Sequence, residues 1–168
     1  MENIYLDNCA TTPVAPEVAH FQMKTAVECF GNPSSIHTAG QKAAAALSAA
    51  RQTIARSLHA LPSEIIFTAS GTEANNLALG SAIRADLAQG PVHVITTATE
   101  HASTRVWLER EAQQSRNPLS ITWLPVDSHG LIKAPDLQNA FQPHTRVVSI
   151  LHCNNETGAL QDLSLIHI

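Results

Sequence analysis

Ile65-Ile66-Phe67-Thr68-Ala69-Ser70-Gly71-Thr72-Glu73-Ala74-Asn75-Asn76 is the stretch that decides the fold class. A short β-rich apolar run ends, small residues turn the chain, and a run of helix formers begins. Such a junction aims free backbone N–H groups and the positive end of a helix dipole at one point, which suits a phosphate. Ser70 and Glu73 also stand at the S-x-x-E spacing of a capping box, which requires no ligand. Taken alone, the stretch fits either reading.

Working outward, strand and helix patterns alternate along the chain. Residues 43–61 are Ala-rich, with Leu47, Ile54 and Leu58 at helical spacing, and Pro62 stops them. Residues 64–68 read as a buried strand and 72–87 as a helix, ended by Gly90-Pro91. A strand at 92–97 and a helix at 102–114 follow. A strand at 120–126 closes on the turn Asp127-Ser128-His129-Gly130. A short helix at 134–141 has Pro135 in its first turn, and a last strand occupies 146–152. Alternation of this kind predicts an α/β fold, a mainly parallel sheet with helices on both faces.

In open α/β sheets, ligands sit beyond the carboxyl ends of the strands. Ser70-Gly71-Thr72, Thr99-Glu100-His101 and Asn154-Asn155-Glu156 each follow a predicted strand, so chemically capable residues gather at that edge. Neither a Walker A lysine nor a G-x-G-x-x-G is present, which turns the reading from a nucleoside triphosphate or NAD toward another phosphorylated ligand.

Composition excludes several function classes. The 168 residues are 44% hydrophobic, enough for a packed core and against disorder. A net charge of −4, with no run of Lys or Arg, argues against a nucleic-acid surface. No apolar run approaches the roughly 20 residues of a membrane span, and the start, Met1-Glu2-Asn3-Ile4-Tyr5, is no secretory signal. Cys9, Cys29 and Cys153 fit neither a disulfide framework nor a metal pattern, so a reducing, cytoplasmic setting and no metal site are expected.

Five stretches in register resemble the cysteine desulfurases of the NifS/IscS type within the class V aminotransferase group. They are Tyr5-Leu6-Asp7-Asn8-Cys9-Ala10-Thr11-Thr12-Pro13, Gly31-Asn32-Pro33-Ser34-Ser35-Ile36-His37, residues 64–76, Thr99-Glu100-His101, and Asn154-Asn155-Glu156-Thr157-Gly158. The resemblance implies the fold type I architecture of enzymes that use pyridoxal 5′-phosphate (PLP). It divides the chain into an N-terminal segment, 1–15, and an incomplete large domain, 16–168.

The resemblance also implies roles. Gly71 and Thr72 bind the cofactor phosphate. His101 stacks on the pyridine ring and exchanges protons with the substrate, as a flat group that titrates near neutrality can do. Asn155 donates near the ring oxygen and helps hold the substrate carboxylate. Residue-level alternatives stand beside these roles: helix-start packing for His101 and a turn for Asn155. For Asn32 and His37 the default is simple N-capping by Ser34 or Ser35. Cys9 stands where the family commonly has Ala. Cys153, flanked by apolar residues, reads as buried and inert.

The expected reaction converts L-cysteine to L-alanine and passes the sulfur on as a persulfide, for iron–sulfur cluster assembly or tRNA thiolation. A sulfur-acceptor protein such as an iron–sulfur scaffold is the implied partner, and a homodimer the implied assembly. Nothing in the sequence points to nucleic-acid or membrane binding. The lysines present, Lys24, Lys42 and Lys133, lack the Ser-x-His-Lys setting in which the family anchors PLP. The family's Asp for the pyridine nitrogen and its sulfur-accepting Cys also lie beyond Ile168 in that comparison. The chain is therefore expected to be an N-terminal fragment, inactive and poorly folded alone. The tail Leu163-Ser164-Leu165-Ile166-His167-Ile168 reads as sequencing read-through as readily as native helix. Two alternatives remain: a related class V enzyme (selenocysteine lyase, cysteine sulfinate desulfinase or aminotransferase), and a non-catalytic truncated product.

Overall fold

The computed structural model describes residues 4–166. They form two compact units, one ending at Phe67 and one beginning at Thr68.

In the first unit, helix α1 (Pro16–Glu28) starts with Pro at its first position, where a missing N–H costs nothing. Helix α2 (Thr38–Ser57) starts five residues before the predicted 43–61 and ends four sooner. Its N-cap is His37, whose Nδ1 accepts from the Gly40 N–H at 3.3 Å, and not the expected Ser34 or Ser35. The Asn32 side chain instead accepts from the Ser34 N–H at 2.9 Å, an Asx turn that lies before the helix. A single 3₁₀ turn, Pro62–Glu64, follows α2.

The expected strand at 64–68 does not form. Ile65 has an extended backbone, with φ −91° and ψ 124°, yet among the described residues 65–68 pair with no strand, and Ile66 and Phe67 are exposed. An apolar, extended run becomes a strand only when a neighbour takes its N–H and C=O groups. Arg51 acts locally instead: it donates to the Ile65 carbonyl, and its guanidinium lies 4.8 Å from the centre of the Phe67 ring.

The second unit is a three-stranded parallel sheet. Its elements run α3 (Gly71–Leu87), β1 (Val92–Thr97), α4 (Ala102–Gln114), β2 (Leu119–Leu124), α5 (Ala134–Ala140) and β3 (Thr145–Ser149), with strand order β2-β1-β3. The register runs from Val92 opposite Leu119 to Thr97 opposite Leu124. On the other side, His93 pairs with Thr145, and the register shifts before Val94 pairs with Val147.

Every residue of β1 is buried, as expected of a central parallel strand covered on both faces. Alternate residues point to opposite faces. Val92 and Val94 join Leu79, Ile83 and Leu87 of α3 with Leu108 of α4 in one core cluster. Ile95 joins Leu124, Ile132 and Leu137 of α5 in another. His93 lies among them without solvent contact, bonded through Nδ1 to the Thr145 hydroxyl and through Nε2 to the Thr122 hydroxyl, each at 2.8 Å.

The connection from β1 runs to β2, and the connection from β2 crosses back over β1 to β3. Right-handed crossovers in opposite directions put their helices on opposite faces, which is where α4 and α5 pack. A ligand crevice opens beyond the carboxyl ends of strands whose connections diverge in this way. Among the described residues, no helix is long and apolar enough to cross a membrane.

Candidate functional site

The site begins at the first turn of α3. Ser70 is extended, with φ −159° and ψ 162°, and its hydroxyl accepts from the Glu73 N–H at 3.2 Å. The Glu73 carboxylate reaches back to the Ala69 N–H at 2.7 Å. The S-x-x-E pair therefore caps the helix, as the capping reading held. This leaves the N–H groups of Gly71 and Thr72 without a partner among the described residues. A Cβ placed on Gly71 would meet nothing within 4 Å. Capping and anion binding are therefore compatible here, because the cap uses other donors than the two that remain free.

Helix α4 starts beside α3. His101 is its N-cap, with Nδ1 accepting from the Ser103 N–H at 3.1 Å. The Ser103 hydroxyl lies 2.8 Å from the same nitrogen and accepts from Asn75 Nδ2 of α3 at 2.8 Å. The helix-start alternative for His101 is thus realised, and the ring still contributes to a depression of about 370 Å³. Thr72, Asn76, His101, Ser103, Trp107 and Arg110 line it. The depression is set by two helices packed side by side, and a bidentate Arg84–Glu111 pair, at 3.1 and 2.8 Å, ties α3 to α4. Asn76 Oδ1 is buried and has no hydrogen-bond partner among the described residues. A buried orphan acceptor in a depression lining is a group that a ligand would satisfy.

The loop after β3 is fastened to the loop after β1. Glu100 Oε1 accepts from the Leu151 N–H at 2.7 Å and from the Thr97 hydroxyl at 3.1 Å. Asn154 Nδ2 donates to the Thr99 carbonyl at 3.1 Å. Burial pushes the Glu100 carboxyl above its ordinary range, against the opposing pull of the Leu151 N–H, the Thr97 hydroxyl and His101. Asn154 Oδ1 also accepts from the N–H groups of Glu156 and Thr157, at 3.0 and 2.9 Å, and so shapes the turn that carries Asn155. Asn155 is exposed on that turn and is not among the residues lining the depression.

Of the predicted site residues, Thr72 and His101 line one depression, Gly71 adjoins Thr72, and Asn155 stands on the fastened loop. Cys153 corrects an expectation. It is exposed, because β3 ends at Ser149 and Cys153 falls in the loop, bridged to Leu160 through the backbone. Asn76 and Glu100, which lie inside the quoted motifs without an assigned role there, and Ser103, which lies outside them, are further contributors. Asn32, His37 and Ala10–Pro13 belong to the first unit. A larger depression of about 1090 Å³ there is walled by Phe21, Ala46, Leu47 and Ile54.

A profile of the family described as "Aminotransferase class-V" matches residues 4–167. A relative from Vibrio vulnificus (strain YJ016), named cysteine desulfurase IscS, is 43% identical over 166 residues, which is 97% of this chain and 40% of its own length. A solved structure titled "NIFS-like protein" aligns with TM-score 0.86 at 30% identity, covering 95% of this chain and 43% of that one. Another, titled "SspA in complex with cysteine", aligns with TM-score 0.83 at 36% identity over 94% of this chain and 44% of its own. The chain spans about 40% of the length of the curated relatives it matches.

Proposed function

The chain belongs to the class V aminotransferase family, and on that premise we propose that the protein is a PLP-dependent cysteine desulfurase. One observation carries the reading. Thr72 and His101 line one depression with Asn76, whose buried Oδ1 has no partner among the described residues, and Gly71, whose N–H is also free, precedes Thr72 in the first turn of α3.

These residues fit the cofactor's chemistry. The Gly71 and Thr72 N–H groups and the Thr72 hydroxyl would hold a phosphate dianion, which the dipole of α3 would favour. The open space at Gly71 lets that phosphate approach the backbone. His101 would stack on the pyridine ring, and Asn155 would donate near the ring oxygen and help hold the substrate carboxylate. When bound, PLP supplies an electron sink for the substrate carbon. Glu100 and Asn154 hold the two loops together, so that His101 and Asn155 stay on one edge of the sheet.

The net reaction balances as L-cysteine plus a thiol giving L-alanine plus a persulfide: one C–S bond breaks, one S–S bond forms, and a proton passes to carbon. Delivery of that sulfur to an iron–sulfur scaffold or to tRNA thiolation, a homodimeric assembly and a cytoplasmic location complete the reading by family likeness.

The test incubates the protein, as its gene encodes it, with PLP, L-cysteine and dithiothreitol, and measures alanine and sulfide together. Equal amounts of both, above a PLP-only control, are expected. Absence of both, or turnover of selenocysteine or cysteine sulfinate with none of cysteine, contradicts the proposal.

A further inference from the structure

The hydrogen bonds on His101 specify more than its position. The Ser103 backbone N–H that reaches Nδ1 can only donate. Nδ1 is therefore the nitrogen that bears the lone pair. The Ser103 hydroxyl, 2.8 Å from Nδ1, supplies a second donor to it. That hydroxyl is oriented in turn, because its oxygen accepts from Asn75 Nδ2 at 2.8 Å and its hydrogen is left to point at the ring. Donation thus runs one way, from Asn75 on α3 through Ser103 to His101. A neutral imidazole carries one proton, which this arrangement leaves on Nε2. Among the described residues Nε2 has no protein partner, and His101 lines the depression.

We propose that Asn75 and Ser103 are positioning residues that lock His101 as the Nε2–H tautomer, so that it offers the bound ligand a hydrogen-bond donor. In this tautomer Nε2 has no lone pair with which to take a proton. His101 then recognises an electron-rich acceptor, an oxygen or sulfur of the substrate or cofactor, and is not the resting base of the site. The proposal rests on the reading that this depression holds PLP and an amino-acid substrate.

The test labels the histidines of the protein, as its gene encodes it, with ¹⁵N, and records solid-state NMR spectra of the PLP-loaded form. His101→Gln identifies the signals that belong to this ring. A pyrrole-type Nε2 and a pyridine-type Nδ1 are expected. Ser103→Ala removes one donor to Nδ1 and lowers the Nε2–H to Nδ1–H ratio about fivefold, the worth of one net hydrogen bond. Ser103→Thr keeps the hydroxyl and restores the ratio. Asn75→Asp substitutes a group that can only accept, turns the Ser103 hydroxyl away from the ring, and lowers the ratio as Ser103→Ala does.

A proton on Nδ1 in the unsubstituted protein overturns the proposal. So does a ratio that none of the substitutions moves, which marks Asn75 and Ser103 as merely structural. Cysteine turnover on the same samples separates the two readings. Nε2–H without turnover rejects the desulfurase and keeps the lock, whereas Nδ1–H with turnover does the reverse.

Discussion

The two units dispose of their apolar side chains in opposite ways. From Thr68 onward, Ile83, Val94, Ile95 and Leu108 are fully buried, and two core clusters flank a single strand. Up to Phe67, α1 buries no residue, α2 buries only Gly40, Ala43 and Ala55, and Phe21 and Phe30 are 70% and 80% exposed. In the first unit, helices rest on local signals: the Ala run of α2, the His37 cap and Pro16. Local signals alone stabilise a helix weakly, since most helical stability in proteins comes from packing an apolar face. In the second unit, contacts distant in sequence hold the structure. The candidate site belongs to the unit with the core, so its geometry rests on a firm base.

The sharpest way to break this contrast is to remove matched apolar groups. Leu108→Ala is expected to cost about 2–5 kcal/mol, because a fully buried leucine leaves a cavity. Val27→Ala, on exposed α1, is expected to stay within about 0.5 kcal/mol. Urea unfolding of both variants measures the difference, and equal costs would show that the first unit has a core of its own.

The loop fastening at Glu100 comes next. Glu100→Ala leaves the Leu151 N–H without its acceptor and is expected to cost about 1–3 kcal/mol. Glu100→Gln keeps an oxygen for that N–H and removes a carboxyl whose ionisation burial already opposes. It is expected to change stability at neutral pH little, or to raise it. The sign follows from the raised carboxyl: relative to the unfolded chain the folded protein holds this proton more tightly, so the Glu100 contribution is lost as pH rises through the carboxylate range. Glu100→Gln is expected to remove that component from a plot of urea midpoint against pH.

His93 gives the smallest and most specific effect. Burial, aided by the nearby His144, lowers its pKa below the ordinary histidine value. The unfolded chain therefore binds a proton that the folded sheet resists, and stability falls as pH drops through and below about 6.5. The urea midpoint is expected to be lower near pH 5.5 than near pH 7.5, and this drop to shrink in His93→Gln. An unchanged drop would place the acid sensitivity elsewhere.

Legibility in the sequence followed the same division. The strand at 92–97 and the helix at 102–114 stand where the pattern put them, because β1 is rich in β-branched residues and Gly90-Pro91 and His101 punctuate its surroundings. The run at 64–68 is as rich in strand formers, yet an extended segment becomes a strand only through a partner, and single-sequence pattern does not encode partners. Cys153 looked buried for the same reason: its apolar neighbours suggested a strand that ends at Ser149. The places of Gly71, Thr72 and His101 at helix starts were legible, because turn and polar residues there stand out against apolar runs. Ser103 was not. Its meaning lies in a bond to Asn75, 28 residues away, between helix faces whose pairing only the fold sets.

The central claim is that the start of α3 seats a phosphate on free backbone N–H groups. Gly71→Val tests it most directly, because a Cβ there points into open space, with nothing within 4 Å outside its chain neighbours and its own helix backbone, so the added methyls stand on the ligand's approach. Titration of the protein, as its gene encodes it, with PLP, followed by the cofactor's absorbance and paired with a thermal melt, gives the answer. The expected result is an affinity loss of about tenfold or more, equal to at least one lost hydrogen bond to charge, with the melting temperature of the apo protein nearly unchanged. Unaltered PLP affinity in Gly71→Val would contradict the claim and move the phosphate seat away from α3.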